Sequence, residues 1–299
     1  TILGLFVGIL RLSKNWLVAK LMSIYIEGFR NVPVLLWIVM IFALLTEFTP
    51  APKAFKGADP QATMLLFDSI AVTNRGTYFP APIFGEGSFW LLLSFILSVL
   101  IVIFIKKYSN KQKKETGKSL PTFWISIFII ILPTLVLYFL LGKPISLEYP
   151  YLKGFNFKDG IHLRNSFLAL TLALALYTSA FIAEIVRAGI LAISKGQTEA
   201  AASLGLRPNK IMNLIILPQA LRIIVPPLIS NYLNLTKNSS LAIAVGYMDV
   251  RGTLGGITLN QTGRELESML LLMGFYLCVS LLISSVINYY NRSFQIVVR

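Results

Sequence analysis

The sequence predicts an all-α polytopic membrane protein, and three observations predict it. Of 299 residues, 56% are hydrophobic and only 13% are charged, where a soluble domain carries roughly a quarter charged residues. The apolar residues gather in continuous runs of about 20, the length that takes an α-helix across a bilayer. A membrane β-barrel would instead alternate apolar and polar positions over segments of about ten residues, and these runs do not alternate.

The opening TILGLFVGIL places a first span at 1–11; because it starts at Thr1 and is already apolar, the N-terminus reads as trimmed. A signal peptide would show a basic start and a cleavage site, and neither is visible. The stretch WLVAKLMSIYIEGFR that follows is more amphipathic. It either lies at the membrane interface or extends the next span, with Pro33 as a kink. Further spans fall at 32–48, 88–105, 122–141, 166–190, 223–245 and 269–288, seven in all. Segments 11–31, 106–118, 191–222 and 289–299 hold 16 Lys/Arg and 3 acids. Segments 49–87, 142–163 and 246–268 hold 8 of each. The cation excess assigns the first set to the cytoplasm, so the C-terminus is expected there. The net charge of +14 then reports orientation, with KKYSNKQKKETGK (106–118) as an anchor on membrane lipid, not nucleic-acid binding.

Several chemistries are excluded. Cys278 is the single cysteine and His162 the single histidine, so no internal disulfide and no His-based metal site are expected. Cys278 reads as a small apolar residue within a span, and His162 as a loop–helix junction residue. The GKS at Gly117–Ser119 lacks the glycine five positions earlier that a phosphate-binding loop needs, since residue 112 is Gln. RGTLGG (251–256) lacks dinucleotide-binding spacing and reads as a turn.

Residues 191–222 are unexpectedly polar for their surroundings. Ser194 or Thr198 suits a helix N-cap, with Glu199 in the first turn, where the helix dipole favours a carboxylate. Ala200, Ala201 and Ala202 are strong helix formers that leave a smooth face. Gly205 fits the positive φ of a C-cap, and Pro208 the first turn of a second helix, which Pro218 would end. Local chemistry leaves two readings open, an ordinary connector or a docking element.

Spacing adds more. Glu199, Ala200, Ala201, Gly205, Ile215, Leu217 and Pro218 match E-A-A-x3-G-x9-I-x-L-P in full. This resembles the signature of the membrane subunits of bacterial ABC importers. RLSKNWLVAKLMSIYIEGFRNVPVLL (11–36), LALYTSAFIAEIVRAGILAISKGQTEAA (174–201) and LPQALRIIVPPLISNYLNLTKNSSLA (217–242) are similar to the polar-amino-acid permease branch. NRGTYFP (74–80) resembles the longer permeases of general L-amino-acid importers. The resemblance implies a type I importer permease fold in the bacterial inner membrane. It implies N-terminal permease spans at 1–48, an insertion at 49–160 with a periplasmic loop and two extra spans, and a core at 161–299 whose coupling loop is 191–222. The seven signature residues would dock an ATP-binding subunit, which carries ATP and Mg itself. A periplasmic amino-acid-binding protein and a second permease subunit, favoured as a different chain in a heterodimer, complete the assembly. This chain would not be an enzyme.

For the substrate path, Tyr177, Phe181 and Glu184 share one helix face, with Arg187 one turn beyond. Glu184 meets a substrate amino group or forms an ion pair with Arg187 or a neighbouring helix. Asn231, Asn234 and Asn238 make one polar stripe, beside Lys237. Three amides on one helix face avoid lipid, so they line a path or bond another helix. Lys237, Asn238, Ser239 and Ser240 occupy positions where the resembled family has a polar cluster, and a cation with hydroxyls suits a carboxylate. Arg30, beside Pro33, is a weaker candidate for the path and is read first as an interfacial anchor. An ion-driven secondary transporter would explain the spans and intramembrane charges but not the coupling signature. A membrane enzyme would need a catalytic constellation that one histidine and no spaced acid pair do not supply.

Overall fold

The computed structural model describes residues 1–57, 60–116 and 121–292. Its main helices are α1 (Ile2–Arg11), α2 (Trp16–Asn31), α3 (Val34–Glu47), α4 (Ser88–Thr116), α5 (Thr122–Leu140) and α6 (Asn165–Leu191). They continue with α7 (Lys195–Ser203), α8 (Pro208–Ile211), α9 (Leu217–Asn238) and α10 (Glu265–Arg292). Two compact units result: 1–49 with 73–75 and 164–299, and 50–72 with 76–163. Gly117–Ser119 and residues 293–299 lie outside the described residues.

In the first unit α6 is the central helix. Half of its most apolar 18-residue window is buried, against 6% in the corresponding window of α10. Leu170, Ala173 and Leu174 pack with Val34 and Ile38 of α3; about two to three turns on, Ile182 and Val186 pack with Ala220 and Ile224 of α9. α1 lies very close to α6 because Gly4 and Gly8 carry no side chain. A Cβ at Gly4 would stand 2.7 Å from Ile182 Cβ, and one at Gly8 2.7 Å from the Ala183 carbonyl oxygen. Small residues four apart bring membrane helices together in this way.

Five single helical spans are long and apolar enough to cross a membrane among the described residues, and α2 with α3 forms a bent pair. The remaining expected span, the first, corresponds to α1, an apolar helix of ten residues. The bend between α2 and α3 is 105°. Val32, preceding Pro33, is extended at φ −108° and ψ 133°, as the proline ring requires of its neighbour. α2 therefore does not extend α3 in a straight line.

Two sequence expectations need correction here. Pro218 does not end a helix: residues 208–245 run as one helical path. A π turn at Met212–Ile216 precedes the proline, and the Leu217 amide reaches back to the Met212 carbonyl. The wider turn absorbs the residue that cannot donate. Likewise RGTLGG is helical rather than a turn, with Asp249 capping Val250–Gly252 through a 2.8 Å bond to the Gly252 amide and a π segment over Thr253–Thr258.

The second unit holds α4, α5 and three antiparallel strand pairs: Gly76–Phe79 with Ile161–Leu163, Ala81–Phe84 with Ile145–Glu148, and Tyr151–Lys153 with Asn156–Lys158. The segments 49–87 and 142–163 were expected only as loops. Strands of three or four residues are too short for period-two alternation to register. Tyr78 and Phe157 are buried together, with Phe55 edge-on to Phe157 at 5.2 Å and His162 stacked on Tyr78 at 4.3 Å. His162, itself exposed, thus covers the edge of a small aromatic core.

Candidate functional site

The coupling segment forms a closed, exposed device. α7 begins after Ser194, whose backbone is extended but whose hydroxyl makes no cap bond. Glu199 therefore lies in the second turn, not the first. The C-terminus is closed by Gly205 at φ +76°. The Gly205 amide bonds the Ala202 carbonyl at 2.9 Å and the Leu206 amide the Ala201 carbonyl at 3.3 Å, the reciprocal pair of a Schellman turn. Pro208 opens α8 at its first position. Glu199, Ala200, Gly205, Leu217 and Pro218 are exposed, Ile215 is half-buried, and Ala201 alone of the seven is buried. Leu204 is 82% exposed beside Gly205. The result is a short helix presenting small and apolar surface, joined through Ala192–Ser194 to α6 and through α8 and the π turn to α9. A 3.5 Å contact from Gln219 Nε2 to Gln197 Oε1 ties α9 back to α7.

Two turns inside the end of α6, four charged side chains join three helices. The Glu184 carboxylate accepts from Arg187 Nη2 at 2.7 Å through one oxygen and from Arg11 Nη1 through the other. Arg11 also approaches Glu27 at 3.7 Å, and its Nε donates to Ser23 Oγ at 3.1 Å. Tyr25 OH donates to the Leu176 carbonyl at 2.9 Å and lies 2.6 Å from Ser179 Oγ. α1 and α2 are thereby fastened to α6 by polar contacts on both sides of the Gly4–Gly8 approach. Of the readings open for Glu184, the ion pair is the one the geometry forms.

Two cavities lie between α6 and α9 and share Phe181 and Asn231. The smaller, about 260 Å³, is lined by Tyr177, Thr178, Phe181, Asn231, Asn234, Leu235 and Asn238. The larger, about 560 Å³, adds α2: Arg30 joins Phe181, Glu184, Ile185, Pro226, Pro227, Ser230 and Asn231. The predicted amide stripe therefore faces the predicted Tyr177 face across space. Asn231 donates to the Pro227 carbonyl at 3.1 Å. Lys237 is exposed and lies outside both linings. Ser239 and Ser240 donate to the carbonyls of Thr236 and Lys237, each at 2.7 Å. Lys237, Ser239 and Ser240 are thus not gathered with Glu184. Cys278 is exposed on α10.

Residues 115–295 match the family described as "Binding-protein-dependent transport system inner membrane component". The chain is 52% identical to the glutamate/glutamine/aspartate/asparagine transport system permease protein BztB of Rhodobacter capsulatus, over 96% of this chain and 72% of that protein. The chain belongs to this family of ABC importer permeases. It is also 43% identical to the putative amino-acid ABC transporter permease protein YhdX of Escherichia coli K12, over 100% of this chain and 74% of that one. To the general L-amino acid transport system permease protein AapQ of Rhizobium johnstonii it is 41% identical, over 100% and 72%. The fold is similar to that in a crystal structure of an amino acid ABC transporter with histidines, with TM-score 0.52 and 20% identity over 98% of this chain and 84% of the other.

As an importer permease the chain is a multi-pass transport subunit, not an enzyme, and works with a separate ATPase and a substrate-binding protein. Membership also removes the ion-driven secondary transporter. Within this permease, sequence reasoning missed one feature and ranked another low. GLFVG at 4–8 is a G-x-x-x-G pattern visible in the sequence. The other is Arg30, the weaker path candidate: its guanidinium lies over the Phe181 ring at 5.4 Å and lines the larger cavity.

Proposed function

We propose that this permease moves amino acids, with acidic and amide side chains foremost, and that α7 docks the ATPase in the cytoplasm. The observation that carries this is the coupling helix itself. The E-A-A-x3-G-x9-I-x-L-P residues build an exposed helix end joined on each side by a short linker, Ala192–Ser194 to α6 and Leu204–Arg207 to α8. A movement imposed on Glu199, Ala200 and Gly205 passes to α6 and α9 through these short linkers. ATP and Mg belong to the partner ATPase. The substrate class rests on these relatives, all permeases of amino-acid systems. Cytoplasmic placement of the C-terminus and of 11–31, 106–118 and 191–222 rests on the cation excess. The insertion at 49–160 favours a second, different permease chain as partner.

The path runs between α6 and α9, past Tyr177, Asn231, Asn234 and Asn238, with Glu184 at its inner mouth. Lys237, Ser239 and Ser240 extend the polar surface outward along α9. The test is co-expression of this chain with its neighbouring transport subunits, followed by purification and uptake in proteoliposomes. A stably bound ATPase and ATP-dependent uptake of glutamate or glutamine are expected. A purified chain that binds no ATPase overturns the proposal.

A further inference from the structure

We propose that Arg30 is an anion-holding residue of the larger cavity, taking a carboxylate of the passing solute. The inference rests on the amino-acid importer reading above and deepens it.

Four observations carry it. First, Arg30 Nε is buried and has no hydrogen-bond partner. A buried donor normally has one, and a guanidinium offers a planar fork suited to a carboxylate. Second, the side chain is placed rather than loose. Its guanidinium lies 5.4 Å from the Phe181 ring centroid, and Phe181 is held by Tyr177 at 4.9 Å. Third, the one carboxylate in the cavity wall is already occupied. Both Glu184 oxygens engage arginines, Arg187 and Arg11, and neither ion pair involves Arg30. Three guanidiniums therefore surround one intramembrane carboxylate, with Glu27 compensating Arg11 at 3.7 Å. The excess is positive, and it is on the cavity side. Fourth, the cavity holds about 560 Å³, within the range of about 300–1,000 Å³ usual for small-molecule sites. Ser230 and Asn231 add polar groups to the same wall.

A carboxylate here has two sources: the α-carboxylate of any amino acid, or the side chain of an acidic one. Uptake of glutamate against glutamine separates them, because the two differ only in the second group.

The experiment uses the complete importer in proteoliposomes, with Arg30→Gln and Arg30→Lys compared to wild type. Arg30→Gln is expected to lower glutamate uptake about tenfold at subsaturating substrate, the loss of one good charge-assisted contact. Assembly with the ATPase is the control, because a merely structural role would lower it together with uptake. If glutamine uptake falls equally, Arg30 holds the α-carboxylate; if only glutamate falls, it holds the side chain. Wild-type uptake of both by Arg30→Gln overturns the inference. Should Arg30→Gln fail to assemble, Arg30→Lys decides. A severalfold higher glutamate KM supports the fork geometry, and a wild-type KM overturns it. If the wild-type importer itself moves neither amino acid, the substrate reading falls first, before any variant is compared.

Discussion

The close approach of α1 to α6 has a measurable steric signature. In Gly8→Ala the new Cβ would stand 2.7 Å from the Ala183 carbonyl oxygen and 3.1 Å from Val186 Cβ. A backbone carbonyl cannot rotate away, so one helix must shift. Overpacking of this kind costs about 1–3 kcal/mol. Against it stands the better helix propensity of alanine, about 0.5–1 kcal/mol. Gly28, exposed on α2, supplies the control: a Cβ there meets nothing within 4 Å. Gly28→Ala gains the same propensity term and meets no obstacle. The difference between the two variants isolates the steric cost, about 1–3 kcal/mol. At roughly 2–4 °C per kcal/mol for domains of 150–250 residues, the thermal midpoints separate by about 2–12 °C, with Gly8→Ala lower. The assay is thermal unfolding of the purified chain in one detergent, with both variants beside wild type. Arg11 follows Gly8 by three residues on the same face, so a displaced α1 also draws its guanidinium from Glu184. Coincident midpoints, or a higher midpoint for Gly8→Ala, would refute the reasoning.

Other changes test separate parts of the permease. Gly205→Asp meets no atom within 4 Å at φ +76°, and aspartate tolerates that region better than most residues. Membrane levels should therefore be unchanged, while transport and ATP hydrolysis fall about tenfold as a charge enters the docking face beside Leu204; unchanged activity in both counts against the coupling role. Glu184→Gln leaves Arg11 and Arg187 facing one neutral amide. The side chain is 23% exposed, so stability should fall by less than the 3–5 kcal/mol of a fully buried pair, about 1–3 kcal/mol, read as a lower thermal midpoint. A glutamate KM at the wild-type value would remove Glu184 from direct substrate contact. Lys237→Met tests the outer part of α9: a raised KM supports a carboxylate contact there, and a wild-type KM removes Lys237 from the path.

What was legible in the sequence divides along physical lines. Spans were legible because lipid enforces a long, continuous apolar run that no other constraint produces. The coupling helix was legible because each of its parts answers a local need: Gly205 a positive φ, Pro208 a missing amide at the first helical position. Those needs are met within a few residues, so spacing records them. Tyr177 and Asn231, by contrast, were each placed on a helix face correctly, but only tertiary packing sets the two faces across one cavity. Lys237 shows the converse. Beside the stripe in sequence, it is rotated out of the cavity, since a residue adjacent to a helical stripe points about 100° away from it. Arg30 was read first as an anchor because a cation near a helix end usually is one. Its place in the wall of the larger cavity is set by how α2 packs, which spacing in the sequence does not record. The charges that matter most in this permease are therefore those whose helix orientation is fixed by partners remote in the chain. Arg11 reaches Glu184 across 173 positions only because two glycines let α1 come close enough. That dependence makes Gly4 and Gly8, apolar residues with no chemistry of their own, determinants of the electrostatics around Glu184.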